Sequence, residues 1–227
     1  MELCSSSRCQ PTMSHDWCPM KDVQPVVVVI DDDPSVREAL QGLLETAALE
    51  VELYASPGEY LQRKQIDAPG CIILDVRLRG SSGLDFQREL ARAGDRTPVI
   101  FLTGHADIAM TVQAMKAGAV EFLTKPYRDQ TLIEAVLLAI ENDRARRESD
   151  DMLARVRQRL ESLTPRERQV MMLAASGQSN KQTAGTIGIG DVTARLHRRQ
   201  VMRKMQARSI VELVKIVEIL TNHGIKV

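Results

Sequence analysis

Apolar residues in the first two thirds of the chain come in short unbroken runs separated by amphipathic stretches of helix length. Val26-Val27-Val28-Val29-Ile30 shows no polar alternation, which predicts a strand covered on both faces. Asp33 can cap the helix that follows, Pro34 suits its first position, and Val36, Leu40, Leu43, Leu44 and Ala47 share one face. The alternation then repeats. Strands are expected over Val51–Ala55, Cys71–Leu74, Pro98–Leu102 and Val120–Leu123. Helices are expected from the capping box Ser56-Pro57-Gly58-Glu59, over Gly83–Ala93, from about Asp107 to Lys116 before Gly118, and from Asp129 through Leu132, Val136 and Ile140. Five strand-then-helix units with short connections imply an α/β fold: a five-stranded, parallel, doubly wound sheet whose ligands sit at the carboxyl ends of the strands.

Beyond residue 142 the pattern changes. Asn142–Leu163 is charged and helix-permissive, with Met152, Val156 and Leu160 as a weak apolar stripe, and reads as a solvated helical linker. Thr164-Pro165-Arg166-Glu167 is a capping box whose helix carries Val170, Leu173 and Ala174 and is closed by Gly177. Asn180 can cap a short helix ending near Ile187. Gly188-Ile189-Gly190 makes a turn, Asp191 can cap a longer helix to about Met205, and Ser209–Glu212 opens a last one with Ile210, Leu213, Val214 and Val217 on one face. The expected organisation is an extension over 1–24, an α/β domain over 25–142, a linker over 143–160, and an all-α four-helix domain over 161–227.

Charge sharpens this division. The 227 residues hold 30 Lys+Arg and 30 Asp+Glu, a net of zero. Cut after Asp151, the N-terminal side has 16 basic and 25 acidic residues (−9) and the C-terminal side 14 basic and 5 acidic (+9). Two domains with different work are implied, and the basic one points to a polyanion. A hydrophobic content of 44% excludes a disordered chain, and no apolar run has the roughly 18 to 20 residues of a membrane span. Cys4, Cys9, His15 and Cys18 near the start fit no compact Cys-x-x-Cys zinc knuckle. With no apolar signal stretch, free thiols in a tail and a reducing cytoplasm are expected.

The strand ends carry the chemistry. Strand one ends in Asp31-Asp32-Asp33, strand three in Asp75, strand four in Thr103, and strand five in Lys125-Pro126. Carboxylates converging on one crevice repel unless a hard cation sits among them, and oxygen ligands of this kind suit Mg²⁺. A Lys and a Thr hydroxyl on the same rim could hold the oxygens of an anion attached to one carboxylate, which suggests phosphoryl transfer to an aspartate. Val-Ile-Asp31-Asp32-Asp33, Leu74-Asp75-Val-Arg-Leu, Leu102-Thr103-Gly104-His105 and Leu-Thr-Lys125-Pro126, in that order, resemble the flavodoxin-like receiver domain of bacterial response regulators. The resemblance covers about residues 25–145. It implies that Asp75 is the phosphoacceptor, and that Asp32, Asp75 and the carbonyl of Arg77 bind Mg²⁺ with help from Asp31 through water. It further implies that Thr103 and Lys125 hold the phosphoryl group, that Phe122 is the aromatic switch following Thr103, and that Lys125–Pro126 is cis. Arg79 departs from the family, standing where Pro is typical. Arg77 and His105 occupy positions that tune phosphoryl lifetime in the family.

In the basic half, a short helix, a glycine turn and a longer cationic helix are the plan of a helix-turn-helix. The longer helix holds Arg195, Arg198, Arg199, Arg203 and Lys204 against one acid, Asp191, whereas a merely solvated helix usually interleaves acids. Leu163-Thr-Pro-Arg-Glu-Arg, Ser-Asn180-Lys181 and Asp-Val-Thr193-Ala-Arg195-Leu196-His197-Arg198 through Lys204-Met resemble the LuxR-type DNA-binding domain of FixJ/NarL response regulators. The resemblance implies that Arg195, Leu196 and Arg199 face base edges, and that Asn180, Lys181, Thr193, His197 and Arg203 mainly meet phosphates; Arg198 joins the same DNA-binding set. Thr183, Gly185 and Ala194 stand where the family prefers larger apolar or stronger helix-forming residues.

Together these resemblances imply a cytoplasmic transcription factor of the FixJ-like branch, which includes regulators of nitrogen fixation, of aromatic degradation and of rhizobial nodulation of the NodW type. The expected partners are a sensor histidine kinase, promoter double-stranded DNA, a second copy of the chain when phosphorylated, and RNA polymerase, with Mg²⁺ as cofactor. Two other readings use the same residues. One is a hydrolase with an aspartyl-phosphate intermediate, in which Asp31-x-Asp33 would be the acid pair. The other is a constitutive DNA-binding protein whose receiver is only a platform for other proteins.

Overall fold

A computed structural model describes residues 23–63, 67–78, 81–104 and 108–226. The N-terminal cysteines and His15, and also Arg79, Gly80, His105 and Asp107, lie outside the described residues. Residue contacts divide the chain into two compact units, with the boundary between Arg144 and Ala145.

In the first unit, β1 (Val26–Ile30), β2 (Glu50–Tyr54), β3 (Gly70–Asp75), β6 (Val99–Thr103) and β7 (Glu121–Thr124) form one parallel sheet in the order β2-β1-β3-β6-β7. The expected doubly wound sheet is present. A small antiparallel pair, β4 (Arg77–Leu78) with β5 (Ser81–Ser82), adds to the expected elements. The two faces of each central strand serve different cores, because alternate side chains point to opposite sides. Val27, Val29, Cys71, Ile73, Ile100 and Leu102 pack with α1 (Pro34–Thr46) and α5 (Asp129–Glu161). Val28, Ile30, Ile72, Leu74 and Phe101 pack on the other face with α3 (Gly83–Arg92) and α4 (Ile108–Lys116), while Tyr60 of α2 (Pro57–Gln62) closes that side. The continuous β-branched runs are thus explained by burial on both faces.

Register levels the strand ends. Ile30 pairs with Leu74, so Asp31 and Asp75 leave adjacent strands at the same height, and Thr103 pairs with Thr124, immediately before Lys125. Asp33 caps α1 by accepting from the Ser35 amide at 2.9 Å, and the Lys125–Pro126 bond is cis. At the other end of β3, the Gly70 amide donates to the buried Asp143 of α5 at 3.1 Å.

α5 is one helix of 33 residues that contributes to both units. Its part beyond Arg144, which the sequence pattern gives as solvated linker, places Val156 and Leu160 in the core of the second unit, while Met152 is exposed. The charged residues around them hide two core positions. The second unit continues with α6 (Pro165–Ala175), α7 (Asn180–Ile187), α8 (Asp191–Lys204) and α9 (Ile210–Asn222). The Thr164/Glu167 and Ser209/Glu212 caps are formed. Two expected caps move by one residue: Ser179, with Gln182 in a full capping box, caps α7 in place of Asn180, and Gly190 precedes α8 in place of Asp191. On α6 the expected Val170 and Ala174 are buried together with Met171, while Leu173 is only partly covered.

Two features weaken α7. The Thr183 hydroxyl is buried with no hydrogen-bond partner among the described residues, and Gly185 occupies an exposed helical position where an added Cβ would meet nothing within 4 Å. Gly185→Ala is expected to raise the stability of the second unit by about 0.5–1 kcal/mol, since Ala restricts the unfolded chain and meets no clash. Thermal denaturation of the two proteins checks this; a lower melting temperature for the Ala variant would contradict it.

Candidate functional site

Three side chains from three strand ends meet in the first unit. Lys125 Nζ lies 2.9 Å from Asp75 Oδ2 and 3.1 Å from Asp31 Oδ2, so one ammonium bridges two carboxylates. The remaining oxygens are held from the backbone: the Asp33 amide donates to Asp31 Oδ1 at 2.9 Å, and the Arg77 amide to Asp75 Oδ1 at 2.8 Å. The Arg37 guanidinium donates to the Asp31 carbonyl at 2.6 Å, a contact that nothing in the strand-end pattern announces. Thr103 is fully buried beside this cluster, and its carbonyl accepts from the Lys125 amide at 2.7 Å. Asp32 is half-buried, and Phe122, also half-buried, packs against Phe101 with ring centroids 6.1 Å apart.

Gly83 is a second residue that the sequence pattern does not single out. A Cβ there would stand 2.4 Å from the Asp75 carbonyl oxygen, so only glycine lets α3 begin so close to the end of β3. The signal that could have found it is the glycine itself, a poor helix former at the first helical position, directly after the N-cap Ser82.

Electrostatics separate the partners. Burial raises the Asp31 carboxyl above its ordinary value, although the Asp33 amide and Lys125 pull it down. For Lys125, burial pulls the ammonium down, but bonds to Asp75 and Asp31 outweigh this and hold it above its ordinary range. Attraction wins at Lys125 and desolvation at Asp31 because the Asp31 side chain is 4% exposed against 26% for Lys125. Ionised Asp31 therefore destabilises the folded state at neutral pH. Asp31→Asn is expected to stabilise the first unit by about 1 kcal/mol, because the amide carries no charge to be desolvated by burial while Asp75 remains as the partner of Lys125. A group whose folded value is raised favours the native state below its unfolded value of 3.8, and loses that contribution as pH rises through the folded value. The gain from Asn should thus be full at neutral pH and vanish below about pH 3.8. Denaturant titrations of both proteins from pH 3 to 7 check this, and a pH-independent difference would contradict it.

Among the described residues, no group of three or more His, Cys, Asp or Glu side chains is arranged as a metal site. Asp31 and Asp75, which do converge, present only hard oxygen donors, the chemistry a small divalent cation takes.

The second unit presents one face of α8. Arg195, Leu196, Arg199 and Arg203 are exposed, as are Thr193 and, on α7, Lys181; His197 and Asn180 are half-buried. Two cations of α8 are otherwise engaged. Arg198 donates to the Gln178 carbonyl at 2.9 Å and to Asn180 Oδ1 at 3.3 Å, bracing α8 against the start of α7. Lys204 pairs with the buried Glu167 at 2.7 Å and with the Ser162 carbonyl at 3.1 Å, tying α8 to α6. Burial pushes the Glu167 carboxyl up, but Lys204 and the Thr164 amide and hydroxyl more than offset this, leaving it below its ordinary value.

Comparison with known proteins places both units. The response regulator receiver domain family matches residues 27–137, and the family described as bacterial regulatory proteins, luxR family, matches 161–217. Nodulation protein W of Bradyrhizobium diazoefficiens is 48% identical over 195 residues, 86% of each chain, and transcriptional regulatory protein FixJ of Azorhizobium caulinodans is 40% identical over 189 residues, 83% of this chain and 90% of that one. The chain is a response regulator of the FixJ/NarL type. Among solved structures, response regulator StyR superposes on this regulator with a TM-score of 0.80 at 42% identity, covering 86% of this chain and 98% of that one. The response regulator is a two-component protein with a receiver and a LuxR-type DNA-binding domain, and is not an enzyme, which removes the hydrolase reading. None of its described helices is long and apolar enough to cross a membrane.

Proposed function

We propose that a partner histidine kinase phosphorylates the regulator on Asp75, and that the phosphorylated form dimerises and binds promoter DNA to activate transcription in the cytoplasm, in contact with RNA polymerase. The observation that carries this is the bridging of Asp75 and Asp31 by Lys125 at 2.9 and 3.1 Å, which sets a nucleophilic carboxylate beside a fixed cation. In the transfer, an oxygen of Asp75 bonds to phosphorus as the bond from phosphorus to the kinase histidine breaks, and the imidazole nitrogen keeps the electron pair. Asp31, Asp32, Asp75 and the Arg77 carbonyl would hold Mg²⁺, which supplies neutralisation of charge on the phosphoryl oxygens. Lys125 exchanges its bridge for an oxygen of the bound phosphoryl group, the Thr103 hydroxyl takes another, and Phe122 follows Thr103 inward.

On the DNA, Arg195, Leu196 and Arg199 face base edges, while Asn180, Lys181, Thr193, His197 and Arg203 meet phosphates. Arg198 acts within that surface as the brace that orients α8. The test is genome-wide mapping of bound sites for wild type and Asp75→Asn. Sites occupied only by wild type are expected; equal occupancy would favour constitutive binding with the receiver as a platform and overturn the gating.

A further inference from the structure

Two large apolar side chains stand in water on the cationic face of α8. Val192 is 73% exposed and Leu196 56%. Neither packing nor helix propensity accounts for Val192, a β-branched residue in the first turn of an exposed helix face. Single exposed apolar residues are ordinary on proteins, but these two are neighbours one turn apart, and their surroundings are specific. At about 100° per residue, Val192, Arg195, Leu196, Arg199 and Arg203 fall within roughly 100° of arc. The buried Ala194 and Val201 lie on the opposite side of the helix, against the core of the unit. The exposed face therefore carries two apolar side chains set among three arginines, of which none is Arg198 or Lys204, the two engaged internally.

We infer that Val192, together with Leu196, reads thymine methyl groups in the major groove, making Val192 a specificity-determining residue; this rests on the proposed DNA-binding reading. The C5-methyl of thymine is the one apolar group that base edges display in the major groove, so it is the partner chemistry that favours an exposed Val or Leu there. The flanking arginines fix the partner as a polyanion, which selects a duplex over an apolar protein surface. Placement agrees, because the first turns of a recognition helix lie nearest the base edges. The two residues are four apart, about 6 Å along the axis, and base pairs are spaced about 3.4 Å, so the pair spans methyls one or two steps apart. Arg195 and Arg199 beside them suit guanine at adjoining positions.

The experiment selects duplexes from a random pool with the full-length protein and a small-molecule phosphodonor, using wild type, Val192→Ser and Val192→Thr. Wild type is expected to enrich a half-site with a fixed thymine, and Val192→Ser to lose preference at that base pair alone. Val192→Thr, which keeps one methyl, should retain part of the preference. Replacing the selected thymine by deoxyuridine removes only the methyl. That change should weaken wild type about three- to fivefold, the worth of burying one methyl, and leave Val192→Ser within twofold. An unchanged consensus in Val192→Ser, or an equal deoxyuridine effect in both proteins, overturns the inference while DNA binding stands. Failure of wild type to enrich any sequence overturns the DNA-binding reading and this inference with it.

Discussion

Asp75→Asn is expected to take up no acyl phosphate and to lose the whole rise in DNA affinity that a phosphodonor gives the wild-type protein. That rise is the coupling between two sites in one chain, and such couplings typically amount to about 5- to 150-fold. The amide keeps the shape and the hydrogen bond from the Arg77 amide, but has no carboxylate oxygen to attack phosphorus. The side chain of Asp75 is 15% exposed and that of Asp31 only 4%, so Asp75 is the accessible carboxylate of the pair that Lys125 bridges. Loss of one charge beside Lys125 leaves Asp31 as its partner, so the variant should fold, and its unphosphorylated DNA affinity should match that of wild type. Phosphate incorporation followed by mass, and DNA titrations with and without phosphodonor, check both parts. Phosphate retained on Asp75→Asn would move the acceptor elsewhere and sink the assignment.

Arg203→Gln and Arg198→Gln, five residues apart on α8, should fail in different ways. Arg203 is exposed, and its hydrogen bond to the neutral Gln200 is long, at 3.5 Å. If it neutralises a phosphate, each copy contributes about −0.9 to the slope of log affinity against log salt, so a dimer of the Gln variant should flatten that slope by about 2. Affinity at low salt should fall by about tenfold or more, equally on specific and non-specific duplexes. Arg198 donates from one guanidinium nitrogen, Nη1, to both the Gln178 carbonyl and Asn180 Oδ1. Its replacement should leave the salt slope nearly as it was and lower the melting temperature of the second unit, by the loss of about 1.5–3 kcal/mol for charged hydrogen bonds. Binding isotherms across a salt series, paired with thermal melts, separate the two. A slope flattened as much by Arg198→Gln as by Arg203→Gln would make Arg198 a phosphate contact and not a brace.

The strands are legible in the sequence because burial on both faces leaves short, β-branched runs bounded by polar or turn residues: Val26–Ile30 and Cys71–Leu74 are apolar without alternation, and both are in the sheet. Helix starts are legible where a hydroxyl or carboxylate, a proline and a glutamate coincide, as at Thr164–Glu167. Ambiguity arises where two capping residues adjoin: Ser179 and Asn180 are equally able caps, and the choice falls to Ser179 because Gln182 closes its box. Val156 and Leu160 read as linker because the charges between them dominate the composition, whereas the core uses only every fourth residue.

The carboxylates, threonine and lysine of the site are visible as strand-end groups, since register follows from strand length and the sheet places all such ends on one edge. The partner of each charge is not visible in the same way. Arg195, Arg198, Arg199, Arg203 and Lys204 look alike along the chain, and only packing shows that Lys204 is paired with Glu167 and Arg198 with Gln178. The same holds for Val192, whose exposure depends on where Ala194 and Val201 meet the core, and for Arg37 and Gly83, which reach the acidic cluster through space. By itself the sequence determined periodicity, caps, domain order and the strand-end chemistry, all of which are local or repeat along one element. The tertiary structure decided which charges of α8 are held by other elements and which face outward, because an ion pair is fixed by distance and burial between elements, and neither is written at any single position.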